Sequence, residues 1–135
     1  MIDCDFPGGN ILMEGMEGDT VRVHQDLRDT QSDWFYWYFR VRGAAGRTLT
    51  FEFTRSNVIG ARGPAVSTDG GQTWSWLGAG AVRGSSFRYA FPADADEVRF
   101  CLAMPYVQAH LDAFLRQHEG NPALWRDTLC RTDKG

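Results

Sequence analysis

The sequence predicts a mainly β fold, an antiparallel β-sandwich of about seven to nine strands with one C-terminal helix. Three observations carry that reading. Glycine occurs 15 times and falls between apolar runs, where it punctuates short strands. Several runs alternate apolar and polar residues with the period of two that a half-buried strand requires. Past Pro105 the apolar spacing changes to three and four, the period of an amphipathic helix.

Taken in order, an opening turn at Pro7-Gly8-Gly9-Asn10 leads into Ile11-Leu12-Met13, and Val21-Arg22-Val23-His24 alternates as a strand. Residues 33–42, from Asp33 to Arg42, are aromatic or β-branched at nearly every position. That composition predicts a central strand covered on both faces. Gly43-Ala44-Ala45-Gly46 then reads as a hairpin into residues 48–54, where Leu49, Phe51 and Phe53 share one face. A slip of one residue would turn all three to water, so that register is well specified.

Ala65-Val66-Ser67 and the return strand with Trp74, Trp76 and Leu77 flank Asp69-Gly70-Gly71, a hairpin signal. Residues 86–91 and 98–104 supply two more alternating strands. Val107, Leu111, Phe114 and Leu115 predict a helix over residues 106–118, stopped by Gly120-Asn121-Pro122. The expected organisation is a sandwich domain over residues 1–118, terminal helix included, followed by a linker over residues 119–135.

A chain of 135 residues accommodates one ordinary domain rather than two. Hydrophobic residues at 43% and aromatic residues at 13% exclude disorder and favour a ring-rich core. A net charge of −3 offers no field to gather nucleic acid or anionic lipid, so neither is expected as a partner. The acidic start Met1-Ile2-Asp3-Cys4-Asp5 is unlike a secretory signal, and no apolar run has membrane-spanning length. Cys4, Cys101 and Cys130 lie far apart in sequence and read as reduced thiols of a cytoplasmic protein.

The residues that could carry chemistry do not form a recognised pattern. Zinc hydrolysis needs spacings such as His-x-x-Glu, which put two ligands on one surface. The residues three beyond His24, His110 and His118 are Leu27, Ala113 and Asn121, so each histidine reads as a solvated surface residue. Ser67, Ser85 and Ser86 lack a nucleophile elbow, and Gly78-Ala79-Gly80 opens no phosphate loop. Cys101 sits mid-strand and reads as an inert core thiol. No catalytic or metal residue and no cofactor is therefore expected within this chain.

Two features remain. The aromatic run 34–39 could serve as a stacking platform but reads as core. Ser67-Thr68-Asp69-Gly70-Gly71-Gln72-Thr73-Trp74 resembles the Asp-box hairpin of sialidase-like propellers, where the Asp braces the turn and the Trp packs beneath it. One copy makes a sturdy turn and identifies no ligand.

Asp5-Phe6, Gly8-Gly9-Asn10-Ile11, Trp34-Phe35-Tyr36, Phe39-Arg40-Val41, Pro64 with Asp69-Gly70-Gly71 and Trp74, and Pro105-Tyr106 before a helix with Leu111 occur in one order. That order resembles the N-terminal β-sandwich domain of cytosolic-type zinc carboxypeptidases, the group of tubulin deglutamylases and bacterial relatives. Residues 129–135 look like the segment where that family's peptidase domain begins. The resemblance implies a parent that removes C-terminal amino acids, often glutamates, with its zinc ligands and general base downstream of residue 135. It departs at Cys101-Leu102-Ala103-Met104, where animal members have more aromatic residues. It implies a non-catalytic module that packs on the downstream peptidase domain, with Pro105, Tyr106 and Trp125 near the contact. The rival expectation is a free-standing carbohydrate- or protein-binding sandwich that uses Trp74 or Trp76.

Overall fold

The computed structural model describes residues 1–28, 30 and 35–131. The chain divides into two compact units, Met1–Pro105 and Tyr106–Gly135.

Among the described residues the first unit holds ten strands in two sheets. In chain order they are β1 (Ile2–Asp3), β2 (Leu12–Glu17), β3 (Thr20–His24), β4 (Tyr38–Arg42), β5 (Thr48–Phe53), β6 (Ala65–Ser67), β7 (Ser75–Trp76), β8 (Val82–Arg83), β9 (Ser86–Ala90) and β10 (Glu97–Cys101). One sheet has the order β1-β4-β10-β6-β7, the other β2-β3-β5-β9-β8. The count exceeds the expected seven to nine because β1, β7 and β8 are two-residue edge strands, too short to show a period.

The layers meet through rings. Phe39 of β4 lies 5.2 Å from Phe51 of β5, and Phe100 of β10 lies 5.5 Å from Phe51 and 5.3 Å from Phe87 of β9. Strand alternation explains this: β5 buries Leu49, Phe51 and Phe53 and leaves Thr48, Thr50 and Glu52 partly exposed, as the sequence predicts. Trp37 is fully buried against Phe53 and donates its indole N–H to the Val58 carbonyl at 2.9 Å. A buried indole needs such a partner, since an unmade hydrogen bond in the core is costly.

Three expectations are corrected. Gly43 to Gly46 closes no hairpin, because β4 and β5 belong to different sheets and face each other across the core. Both hydrogen-bonding edges of β4 are taken, by β1 and β10, so the chain crosses between layers instead. The second sheet is mixed rather than antiparallel throughout, since β3 and β5 run parallel with Val21 opposite Phe51. His24 is buried at 5% exposure, not solvated. It shares the outer face of β3 with Arg22, its Nδ1 lies 2.9 Å from the Gln25 carbonyl, and its Nε2 lies 3.6 Å from Glu14 Oε1.

The aromatic strand is shorter than expected. β4 begins at Tyr38 because its ladder with β10 starts at the Tyr38–Cys101 pair. Trp37, Tyr38 and Phe39 are buried, yet Phe35 is 63% exposed, while Asp33 and Trp34 lie outside the described residues. β10 likewise ends at Cys101, short of the expected 104.

Among its described residues the second unit contains one helix, α1 (Gln108–Gln117). Val107 precedes it in an extended conformation, and the Val107 backbone N–H donates to His110 Nδ1 at 3.1 Å. Gly120, with φ +82, follows the last turn, as the sequence predicts for a helix stop.

Candidate functional site

Pro105 and Tyr106 straddle the division between the two units, and Trp125 follows α1 in a segment without regular secondary structure. Tyr106 is 69% exposed, its ring 5.5 Å from the His110 ring, and Trp125 is 83% exposed. Leu111, Phe114, Leu124 and Leu129 are exposed as well, and α1 has no buried residue. Leu111, Phe114, Leu115 and His118 fall within about 100° of arc at the helical repeat. Asp112, Ala113 and Arg116 take the other side, so the apolar stripe that the sequence predicts is present. Phe114 packs on the His118 ring at 4.6 Å.

The Asp-box residues form the hairpin expected of them. The Asp69 carboxylate accepts hydrogen bonds from the Thr73 hydroxyl and the backbone N–H groups of Gln72 and Thr73, and from the Ser67 hydroxyl at 2.7 Å. The hydroxyl and backbone N–H of Thr73, with Ser67 and Gln72, hold this carboxyl well below the usual carboxylate range. Gly71, at φ +90, lets the backbone turn under Tyr38: a Cβ there would lie 2.9 Å from the Tyr38 hydroxyl. Trp74 donates to the Gly71 carbonyl at 3.0 Å and meets Tyr38 edge-on at 5.6 Å.

These contacts argue against a carbohydrate platform. Trp74 is partly covered by Tyr38, and Trp76 has the Arg62 guanidinium 5.7 Å over its ring. Each indole thus has one neighbour against it, and Trp76 stays 36% exposed.

The outer face of the first sheet carries a network that sequence reasoning missed. Arg40 donates to Asp3 at 2.8 Å and lies 3.6 Å from Glu97, while Arg42 reaches Asp3 at 3.0 Å. Arg99 binds Glu97 at 2.6 Å and the Tyr38 hydroxyl at 3.1 Å. Arg40 and Arg99 are direct cross-strand partners, a repulsive arrangement of like charges. The Phe6 ring offsets it, lying 5.2 Å from one guanidinium and 4.7 Å from the other. Burial pushes the Asp3 carboxyl up, but the Asp5 backbone N–H, Arg42 and Arg40 outweigh it and hold it below its ordinary value. The only sequence signal was the alternation of arginines in β4; joining them to Asp3 and Phe6 needed the strand register.

Cys101 lies in a small cluster with Tyr38 and Ala65 beneath Phe6, Tyr36 and Trp74. Burial pushes its thiol up to about 12, which suits the inert role read from the sequence. A recess of about 300 Å3 opens beside Asn10, Asp26, Arg28 and Tyr36. Arg28 there adopts φ +53, held by its N–H to Asp26 Oδ1 at 2.8 Å.

The resemblance read from the sequence raises the question of zinc. Among the described residues no three His, Cys, Asp or Glu side chains converge, so these residues do not fit the ion. Among them, too, no helix is long and apolar enough to cross a membrane.

Among the described residues two facing five-stranded sheets precede one helix, and this arrangement is similar in fold to part of solved bacterial metallo-carboxypeptidases. The chain matches a metallo-carboxypeptidase from Burkholderia cenocepacia with a TM-score of 0.79 at 20% identity, over 100% of its own length and 37% of that chain. It matches a metallo-carboxypeptidase from Pseudomonas aeruginosa with a TM-score of 0.69 at 22% identity, over 89% of its length and 34% of that chain. It thus spans about a third of the length of the solved structures it resembles. No family profile and no curated protein matches the sequence. The resemblance read from the aromatic strand and the Pro-Tyr junction holds at the level of fold.

Proposed function

We propose that this chain is the non-catalytic N-terminal domain of a cytoplasmic zinc metallo-carboxypeptidase, that it packs on the peptidase domain and that it shapes the rim of the substrate groove. One observation carries the reading: the whole chain superposes on only 37% of a metallo-carboxypeptidase, which leaves most of that enzyme for the catalytic domain. Zinc and its ligands would belong to that second domain. Pro105, Tyr106 and Trp125 would lie at the contact, since Tyr106 and Trp125 are large exposed rings of the kind that anchor an interface core.

The test is co-production with the downstream peptidase domain. Co-elution of the two, with a change in the peptidase's solubility or substrate preference, is the expected result. Independent elution with unchanged activity would overturn the proposal. Tyr106→Ala and Trp125→Ala should each weaken the association, by about 1–3 kcal/mol if they anchor the interface. Loss of the association should shift substrate preference if the groove is shared.

A further inference from the structure

We propose that Arg83 and Arg88 are the anion-binding edge of a small-molecule site on the outer face of the second sheet, and that its ligand is a phosphorylated small molecule whose phosphate bridges the two guanidinium groups. The site belongs to the sandwich itself and does not depend on the peptidase reading.

Small side chains create the recess. It has a volume of about 530 Å3 and is lined by Thr48, Gly80, Ala81, Arg83, Arg88 and Ala90. On β9 the buried Phe87 enters the core, so Arg88 and Ala90 stand on the opposite, exposed face. Ala90 pairs with Thr48 of β5, and Arg88 pairs with Thr50. Two short side chains, Ala90 and Thr48, thus sit next to Arg88. A 3-10 turn at Ala79–Ala81 leads into β8 and adds only Gly80 and Ala81 to the lining.

Arg83 is fixed before any ligand arrives. It pairs with Ser86 across the Gly84-Ser85 turn, where Gly84 has φ +58 and the Ser86 hydroxyl donates to the Arg83 carbonyl at 2.8 Å. Its Nη1 donates to the Val82 carbonyl at 2.8 Å and lies 3.5 Å from the Gly80 carbonyl. The guanidinium is held by these bonds while its Nε and Nη2 donors stay available. A donor ordered in advance loses less entropy when it binds.

Charge selects the ligand. Among the described residues six arginines of the sandwich have a carboxylate within 4.0 Å, and neither Arg83 nor Arg88 is one of them. Glu52, the one acid of β5, faces Ser86 and lies 3.7 Å from Arg22. Two guanidinium groups without a carboxylate therefore share one recess in a chain of net charge −3. A carboxylate offers two coplanar oxygens, which one guanidinium saturates; a tetrahedral phosphate has further oxygens for a second. The recess is larger than a lone phosphate and of the size of small-molecule sites, so the phosphate carries an organic group that covers Ala90 and Thr48.

Titration of the nitrogen-15-labelled chain with phenyl phosphate, inorganic phosphate and succinate, at fixed ionic strength, tests the proposal by amide chemical shifts. The amides of residues 79–84, 88–90 and 48 should shift and saturate with phenyl phosphate, half-maximally below about 5 mM. Inorganic phosphate should shift the same amides at higher concentration, and succinate should bind at least about tenfold more weakly than phenyl phosphate. Arg83→Gln and Arg88→Gln should each weaken phenyl phosphate binding at least about tenfold, without lowering the melting temperature. Arg88→Lys, which keeps the charge and loses the fork, should recover only part of that loss. Arg62→Gln, outside the recess, should change nothing.

Absence of a saturable shift in the unaltered chain would overturn the site, as would shifts centred on other residues or binding that survives both glutamine variants. Succinate binding as tight as that of phenyl phosphate would overturn the choice of phosphate. Equal affinity for inorganic and phenyl phosphate would overturn the organic group. Each of these results leaves the peptidase reading untouched.

Discussion

Asp69 illustrates how one residue sets a local structure and a pH response together. Its carboxylate is held by two backbone N–H groups and two hydroxyls, and its ionised form is favoured in the folded state. An unfolded aspartate titrates near about 4. The native preference is therefore fully present above that pH and is lost as the pH falls below it. Asp3 shifts in the same direction and adds to the same acid limb. Asp69→Asn should lower the melting temperature at pH 7 and shrink the further loss between pH 4 and 2. Thermal melts across that range decide it; an unchanged acid limb would remove Asp69 from the explanation.

The thiols give a second residue-scale prediction. Cys101 is buried with its thiol pushed up, whereas Cys130 is exposed. Cys130 should be labelled by a thiol reagent in the native protein, and Cys101 only on unfolding. Above about pH 9 the unfolded thiol ionises while the buried one does not, so stability should decline there. Fast labelling of both thiols in the native protein would contradict the assignment.

At the scale of elements, the ring cluster between the sheets dominates. Phe51 is fully buried and touches Phe39, Phe87 and Phe100, so it joins both layers. Phe51→Ala should cost about 3–5 kcal/mol in urea unfolding, through lost transfer energy plus a cavity. Phe35→Ala, on an exposed ring, should stay within about 0.5 kcal/mol. Equal losses would mean that the rings had been ranked wrongly. Gly9 marks another constraint: a Cβ there would sit 2.0 Å from the Cys4 carbonyl oxygen. Gly9→Ala should therefore displace the opening turn and destabilise the sandwich measurably in the same assay.

Elements also show where local pattern was sufficient and where it was not. The alternation in residues 48–53 identified which side chains of β5 enter the core, and the Asp-Gly pair identified the β6–β7 hairpin. The connection at residues 43–46 could not be read the same way. A short glycine-bounded turn suits a hairpin and a crossover alike, and the choice depends on whether the edges of β4 are already occupied.

At the scale of the molecule, the division after Pro105 predicts that residues 1–105 fold without the rest. A chain truncated there should keep its melting temperature within a few degrees and its near-ultraviolet signal from buried tryptophan. Loss of cooperative melting would show that the helical unit belongs to the sandwich. The Tyr38 and Arg62 contacts of Trp74 and Trp76 predict no change in tryptophan fluorescence on titration with glycans; a saturable change would revive the carbohydrate-binding alternative.

The sequence by itself determined the layer architecture, the inward faces of most strands, the Asp69 turn, the amphipathic helix and the family resemblance. Periodicity and turn chemistry are local, and each reports which face of an element is apolar or where the backbone must reverse. Tertiary structure alone decided that β4 and β5 face each other across the core, that β3 pairs parallel to β5, that His24 is buried, and that Asp3, Phe6, Arg40 and Arg99 form one network. Those outcomes depend on which distant strand satisfies each exposed backbone edge. A hydrogen-bonding edge accepts any strand of suitable register, so the choice is made by the packing of the whole chain.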